Sequence, residues 1–244
     1  MKVTIITPTY NSGSTLAETL KSVASQDYKN IEHIIIDGKS KDKTLEMAGT
    51  FPHISKIISE PDKGIYDAMN KGIRNSTGEI IGILNSDDKY TNENVLKYVI
   101  NLFNDKAIQA VYGDLNYINS KGKIIRKWRS GEYGRELFLQ GWMPPHPTFF
   151  IRRVWYEKYG VYNTDFYISA DYELMLRMLY RHRLKCVYIP HVLVSMLTGG
   201  HSNGSLRKRW IANREDRKAW EINGLKPESL TLIKKPLKKL IQYL

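Results

Sequence analysis

Asp87 and Asp88 stand side by side at the end of Glu79-Ile80-Ile81-Gly82-Ile83-Leu84, an apolar run that brings two carboxylates to one edge of a sheet. Adjacent anions repel, so either solvent screens them or a cation neutralises them. Hard oxygen ligands of this kind suit Mg2+ or Mn2+ bridging to a substrate phosphate. The alternative is a solvated Ser-Asp-Asp cap on the helix that follows. Asp62-Lys63-Gly64-Ile65-Tyr66-Asp67 places a cation, a glycine and an acid at a helix start, fit for binding an anion or for a plain surface entry capped by Asp62. His201, in the glycine-rich run from Thr198 to Ser205, has the chemistry to ligate a metal or touch a phosphate if that run closes over a diphosphate; a linker has the same composition. Arg207-Lys208-Arg209-Trp210 follows, either a phosphate clamp or a solvated basic helix face.

The elements that must position these groups alternate at short intervals over the first hundred residues, the pattern of parallel β-α-β units. Val3 to Thr7, Glu32 to Ile36, Ile54 to Ile58 and Glu79 to Leu84 are apolar strand-like runs. Helical periodicity marks Thr15 to Gln26, with Thr15 and Glu18 as a capping-box pair, then Ile65 to Arg74 and Asn92 to Asn104. Asp114 to Trp128 predicts a hairpin around Ser120-Lys121-Gly122, so the second half is mixed rather than purely parallel. Gly141 to Pro147 holds three prolines and predicts an ordered loop, Asp171 to Arg181 a helix, and Lys185 to Ile189 a buried strand containing Cys186. In an open parallel sheet, ligands bind beyond the carboxyl ends of the strands. The residues there are Thr7-Pro8-Thr9-Tyr10-Asn11, Asp37-Gly38-Lys39-Ser40, Glu60-Pro61-Asp62-Lys63 and Asn85-Ser86-Asp87-Asp88.

The 244 residues suffice for one α/β domain, with or without a short appendage. One cysteine forms no intramolecular disulfide, which points to a reducing compartment. The start of the chain has no signal-peptide pattern, and no 18-residue apolar stretch provides a spanning helix, so the expected location is cytoplasmic. Residues 205–244 carry eleven Lys or Arg against four Asp or Glu, +7 of the net charge of +12. Within them Leu237, Leu240, Ile241 and Leu244 recur at helical spacing among Lys234, Lys235, Lys238 and Lys239. This describes either a basic amphipathic helix lying on an anionic membrane, at about 1 kcal/mol per lysine, or a terminal helix packed on the domain.

In their order and spacing, Ile5 to Asn11, Ser25-Gln26, Ile36 to Asp42, Asp62 to Gly72 and Leu84 to Asp88 resemble the family 2 inverting glycosyltransferases, most closely the bacterial members that assemble capsule, O-antigen or exopolysaccharide repeats. The resemblance implies an α/β GT-A fold, a mainly parallel sheet flanked by helices. It also implies a nucleoside-diphosphate sugar donor, with uridine favoured, and Mn2+ or Mg2+. The catalytic domain is expected over 1–204, with a nucleotide-sugar half at 1–113, an acceptor half at 114–204 and a basic helical extension at 205–244. By the same resemblance Thr7, Pro8, Thr9 and Tyr10 hold the nucleoside, and Lys63 and Asp67 contact the donor. Asp88 holds the metal, with Asp87 on metal or ribose. Asp37 accepts from a ribose hydroxyl or uracil N–H, or is only a strand-end cap, since Gly38 replaces the usual second acid. Asp171, in Ser169-Ala170-Asp171-Tyr172-Glu173, matches the general base, although Ala170 replaces the first acid of that pair. His146 falls where relatives carry a polar residue near the acceptor, and contacts acceptor or donor. The acceptor is a saccharide or lipid-linked saccharide, the latter favouring peripheral attachment at the inner face of the membrane.

Two other classes fit less well. A sugar-phosphate nucleotidyltransferase calls for a glycine-rich phosphate loop after strand one, which Pro8-Thr9-Tyr10-Asn11 does not supply. A basic nucleic-acid-binding module calls for a zinc knuckle, helix-turn-helix or RNP signature, and the sequence has none.

Overall fold

A computed structural model describes residues 1–198 and 206–227. Its first half is the expected alternation: β1 (Val3–Thr9), α1 (Leu16–Ala24), β2 (Ile31–Asp37), α2 (Thr44–Gly49), β3 (Ile54–Ser59), α3 (Ile65–Asn75) and β4 (Ile80–Ile83). The four strands lie parallel in the order β3-β2-β1-β4. Every residue of β1 is buried, as a central strand covered on both faces requires. Helix α3 lies directly against β1, because a Cβ at Gly72 would overlap the side chain of Ile6. The capping box does not form: the Thr15 hydroxyl donates to the Ser12 carbonyl (3.3 Å), and Glu18 pairs with Lys21 and Lys89.

The second half is mixed. β5 (Asp88–Tyr90), α4 (Val95–Phe103), β6 (Ala110–Ile118), β7 (Ile124–Trp128), β8 (Phe150–Arg152), α5 (Arg153–Tyr159), α6 (Ala170–Met175), β9 (Cys186–Leu197) and α7 (Leu206–Ile222) complete the chain. The sheet continues β4-β8-β6-β9-β5, with β7 hairpinned on β6. β8 is antiparallel to both β4 and β6, and β9 is parallel to β6. The predicted loop ends at Pro145, and His146–Thr148 forms a short 3-10 turn. The helix predicted from Asp171 to Arg181 is α6 followed by a wider π turn over Leu176–Arg181.

One large apolar cluster joins Ile6, Ile34, Met69, Ile151 and Tyr172, and it takes in Ala219 and Trp220 of α7. The core therefore continues past residue 204, and the described part of the basic C-terminal segment is packed into it. A second cluster on other side chains of the sheet gathers Val3, Leu84, Val99, Phe103, Val111 and Leu193. The lysines proposed to meet a membrane, Lys234 to Lys239, lie outside the described residues.

Candidate active site

The order β3-β2-β1-β4 reverses direction between β1 and β4, and the crevice beyond their carboxyl ends is where an open α/β sheet binds ligands. Asn85 to Asp88 forms a tight turn there, closed by the Asp88 N–H on the Asn85 carbonyl (3.1 Å). Thr19 of α1 holds the Asp88 carbonyl (2.7 Å), and the hydroxyls of Ser12 and Ser86 (2.8 Å) tie this turn to the one after β1. Asp88 is fully buried. Its Oδ2 accepts from Asn85 Nδ2 (3.0 Å) and the Leu197 N–H acts weakly on the carboxyl, but among the described residues Oδ1 is buried without a well-formed hydrogen bond, and so is Asn85 Oδ1. Burial pushes both carboxyls above the ordinary range, Asp88 strongly, and the charge of half-buried Asp87 adds to that shift. A solvated helix cap has no such properties; the cap position of α4 is Asn94. Two orphaned oxygens beside a second acid fit a hard divalent cation. No cluster of three or more His, Cys, Asp or Glu exists among the described residues, so other oxygens of the coordination shell would come from substrate or water.

Beside this turn the ends of β1 and β2 form a second surface. Thr7, Pro8 and Thr9 belong to β1 and are buried: the Thr7 hydroxyl bonds His33 Nε2 (3.0 Å), and Thr9 donates to Asp37 Oδ1 (3.2 Å). They frame the site, while Tyr10, 64% exposed, presents its ring to it. Asp37 is fully buried and accepts from Thr9, the Ser40 N–H (3.0 Å), the Ser40 hydroxyl (2.5 Å) and the Ser59 hydroxyl (2.7 Å). Its carboxylate is thus occupied with tying β1, β2 and β3 together. The next position is Gly38, where a Cβ would meet Asp62 Oδ2 at 2.5 Å and Tyr10 Cδ2 at 3.3 Å. An acid of the β3–α3 loop thus lies where a side chain at position 38 would begin. Asp62 also accepts the Gly64 N–H (2.9 Å), and Gly64 takes φ +118°, a conformation costly for any other residue. Lys63 is exposed, and its N–H donates to Asp67 Oδ2 (3.1 Å).

A third group faces the same side from the second half. Asp171 is half-buried in the first turn of α6 and accepts the Tyr172 N–H (2.8 Å) on Oδ1. The Tyr66 hydroxyl lies 3.4 Å from that oxygen and 2.5 Å from the Ile168 carbonyl. Tyr66 is two residues beyond Gly64, so one side chain spans from the Asp62 loop to Asp171. Tyr66 stacks on Tyr162, whose hydroxyl meets His146 Nε2 (2.7 Å). Burial lowers the pKa of His146 while the Asp171 charge opposes that shift, which places His146 within the field of Asp171. Asn70 anchors the cluster by bonding both the N–H and the carbonyl of Tyr162 (2.9 and 2.8 Å). Arg177, paired with buried Glu173, clamps the carbonyls of Tyr159, Gly160 and Val161 just before it.

The sequence model described as Glycosyl transferase family 2 matches residues 4–166. The chain belongs to this family. An uncharacterized glycosyltransferase of Mycobacterium tuberculosis is 33% identical over 192 residues, 72% of this chain and 68% of the relative. A PGL/p-HBAD biosynthesis glycosyltransferase of Mycobacterium bovis is 30% identical over 214 residues, 85% of this chain and 81% of the relative. Among solved structures, S. aureus TarS 1-349 in complex with UDP-GlcNAc aligns with a TM-score of 0.71 at 17% identity, over 97% of this chain and 72% of that one. Mannosyltransferase PcManGT from Pyrobaculum calidifontis, in complex with GDP-Man and Mn2+, aligns at 0.67 and 19%, over 99% and 69%.

The fold of this family 2 glycosyltransferase is accordingly GT-A, as expected from its sequence. The match ends at residue 166, so Asp171 and α7 lie beyond it. Of the expected site residues, Tyr10, Asp87 and Asp88 gather at the ends of β1 and β4, and His146 and Asp171 gather around Tyr66. His201 lies outside the described residues; Arg207 falls in the first turn of α7, and its side chain is not described. The sequence reading places Asp62 and Asn85 at the ligand-binding ends of the strands, but gives Asp62 no individual role except a helix cap and gives none to Asn85, Tyr66 or Tyr162. Tyr66 and Asn85 sit inside motifs it had quoted, whereas Tyr162 had no local signal.

Proposed function

We propose that this enzyme transfers a sugar, with inversion, from a nucleoside-diphosphate sugar, UDP-linked by the resemblance, to a hydroxyl of a saccharide or lipid-linked saccharide in surface-polysaccharide assembly. The observation that carries the reading is the buried oxygen of Asp88 that lacks a well-formed hydrogen bond, beside that of Asn85, at the β4 edge. A Mn2+ or Mg2+ held by Asp88 and Asp87 would neutralise the diphosphate as it leaves. The donors named for TarS and PcManGT, UDP-GlcNAc and GDP-Man, and the Mn2+ named for the latter, support donor class and metal. Tyr10 flanks the base, and Asp62 accepts from its N–H edge in the space left by Gly38. Asp171 takes the proton of the acceptor hydroxyl as that oxygen attacks the anomeric carbon. The bond from that carbon to the phosphate oxygen breaks, and the nucleoside diphosphate departs with the electron pair. Lys63 and Asp67 flank the donor at the start of α3, and His146 contacts the acceptor. Contact of His201 and Arg207 with the diphosphate, and of Lys234, Lys235, Lys238 and Lys239 with an anionic membrane, belongs to the same proposal and rests on the sequence alone.

Incubation with a panel of UDP- and GDP-sugars and Mn2+ or Mg2+, following release of nucleoside diphosphate, tests the reading. Metal-dependent release from one donor, lost in Asp88→Ala, is expected. The absence of both turnover and calorimetric affinity for any nucleoside diphosphate would refute it.

A further inference from the structure

Helix α7, outside the family-matched region, reaches back to the loop ahead of Asp171. Glu215 Oε1 accepts the N–H of Tyr167 (2.7 Å), and its Oε2 accepts those of Ile168 (2.9 Å) and Ser169 (2.8 Å). Three successive backbone donors converging on one carboxylate form an anion nest that fixes the orientation of each peptide unit. The helix is anchored independently by buried Trp220, whose indole N–H donates to the Tyr172 hydroxyl (2.9 Å), and by Asn223 on Glu173 (3.0 Å).

The peptide unit fixed at residue 168 matters because of what its carbonyl does. A tyrosine hydroxyl has one proton to donate. Tyr66 directs it at the Ile168 carbonyl at 2.5 Å, leaving Asp171 Oδ1 at 3.4 Å as the poorer acceptor. We infer that Glu215 is a positioning residue: by pinning the Ile168 carbonyl as the acceptor for Tyr66, it keeps the Tyr66 proton off Asp171 and leaves that carboxylate free to act as base. Were the loop to relax, Tyr66 would turn to Asp171. A hydrogen bond to a carboxylate favours its charged form and weakens it as a base. Among the described residues the titratable groups facing Asp171 are Tyr66 on α3, His146 on the 3-10 turn and Tyr162 beyond α5; Glu215 acts on Tyr66 from α7. This inference rests on the reading of Asp171 as the base.

The test compares kcat, donor KM and the acidic limb of the pH–kcat profile in wild type, Glu215→Gln, Tyr66→Phe and the double variant, with Asp171→Asn alongside. Glu215→Gln should lower kcat about tenfold and move the acidic limb down by about half a pH unit or more, with donor KM within about twofold. In the Tyr66→Phe background the same substitution should not move the limb, since the competing proton is gone. A merely structural role for Glu215 would lower the active fraction without this dependence on Tyr66. A limb that stays put in Glu215→Gln, or moves equally with and without Tyr66, overturns the inference. Should Glu215→Gln fail to fold, Tyr66→Phe alone decides: the limb should stay in place, and a rise would mean that Tyr66 already donates to Asp171 in the native enzyme. If Asp171→Asn retains transfer, it is the reading of Asp171 that fails.

Discussion

Replacing Gly38 by alanine probes whether Asp62 stands where the nucleobase is read. The new Cβ would lie 2.5 Å from Asp62 Oδ2, where ordinary contact begins at 3.4 Å, so the carboxylate must retreat by about 0.9 Å or swing out. Gly38 is not among the glycines with positive φ, so alanine adds no backbone strain there. Asp62 is a half-buried loop residue that can yield, and the fold should lose about 1 kcal/mol at most, the low end of overpacking costs. Nucleotide binding should lose one hydrogen bond to a charged group, about 1.5–3 kcal/mol. At about 1.4 kcal/mol per decade, affinity for the nucleoside diphosphate then falls roughly 10- to 150-fold. Calorimetry with UDP and GDP in the presence of Mn2+, beside a thermal melt, measures both quantities. Asp62→Ala should reproduce the loss, and the double variant should add little to either, because both substitutions remove one interaction. Unchanged affinity in Gly38→Ala with a native melt would refute the assignment of Asp62.

Three other perturbations have defined signs. Asp88→Asn removes a buried charge with an orphaned oxygen, so in EDTA the variant should be about 1–3 kcal/mol more stable to urea than wild type while losing metal-dependent turnover; equal or lower stability would count against the strained-acid reading. His33 is fully buried, and burial, with His53 beside it, lowers its pKa from 6.5 to about 3, so the unfolded chain binds its proton first. Stability should therefore fall as pH drops from 6.5 towards 3, by at most about 1.4 kcal/mol per unit, and urea titrations of His33→Gln should show a flatter acid dependence. Asn70→Ala strips partners from both the N–H and the carbonyl of buried Tyr162; an unfolding free energy lowered by about 2–4 kcal/mol with unchanged m-value is expected, together with weakened activity from the displaced His146.

The parallel half of the fold was legible because its strands are continuous apolar runs and its helices hold one period: β1 to β4, α1, α3 and α4 appear within a few residues of their expected bounds. The hairpin of β6 and β7 was legible from its turn residues. β8 was not, since three residues carry no period, and its place between β4 and β6 is decided by packing of Phe150 against Gly82. β9 was foreseen only in its first residues: past Ile189 the run holds Pro190 and His191, and its register on β6 shifts at Asp114. Within the site, Asp87 and Asp88 stood out by type and spacing, and Asp171 by the family resemblance alone. The partners that give them their environment did not. Asp62 meets Gly38 across 24 positions, and Glu215 meets Ser169 across 46, in a helix whose dense charge suggested a phosphate clamp or a solvated face.

Strand order also sets where this enzyme can be cut and rejoined. β9 is an interior strand: it lies between β6 and β5, and its Met196 pairs with Asp88 at the turn that follows β4. A chimera that kept residues 1–166 and drew the remainder from a relative would set a foreign strand between β6 and β5, and the acid at the first residue of β5 would depend on how that strand fits. A junction after β9 would part α6, which carries Asp171, from the helix that holds its loop. The segment that can be exchanged with the sheet left intact is therefore not the terminal third of the chain but the one between β7 and β8, residues 129–149, whose flanking strands both pair with β6.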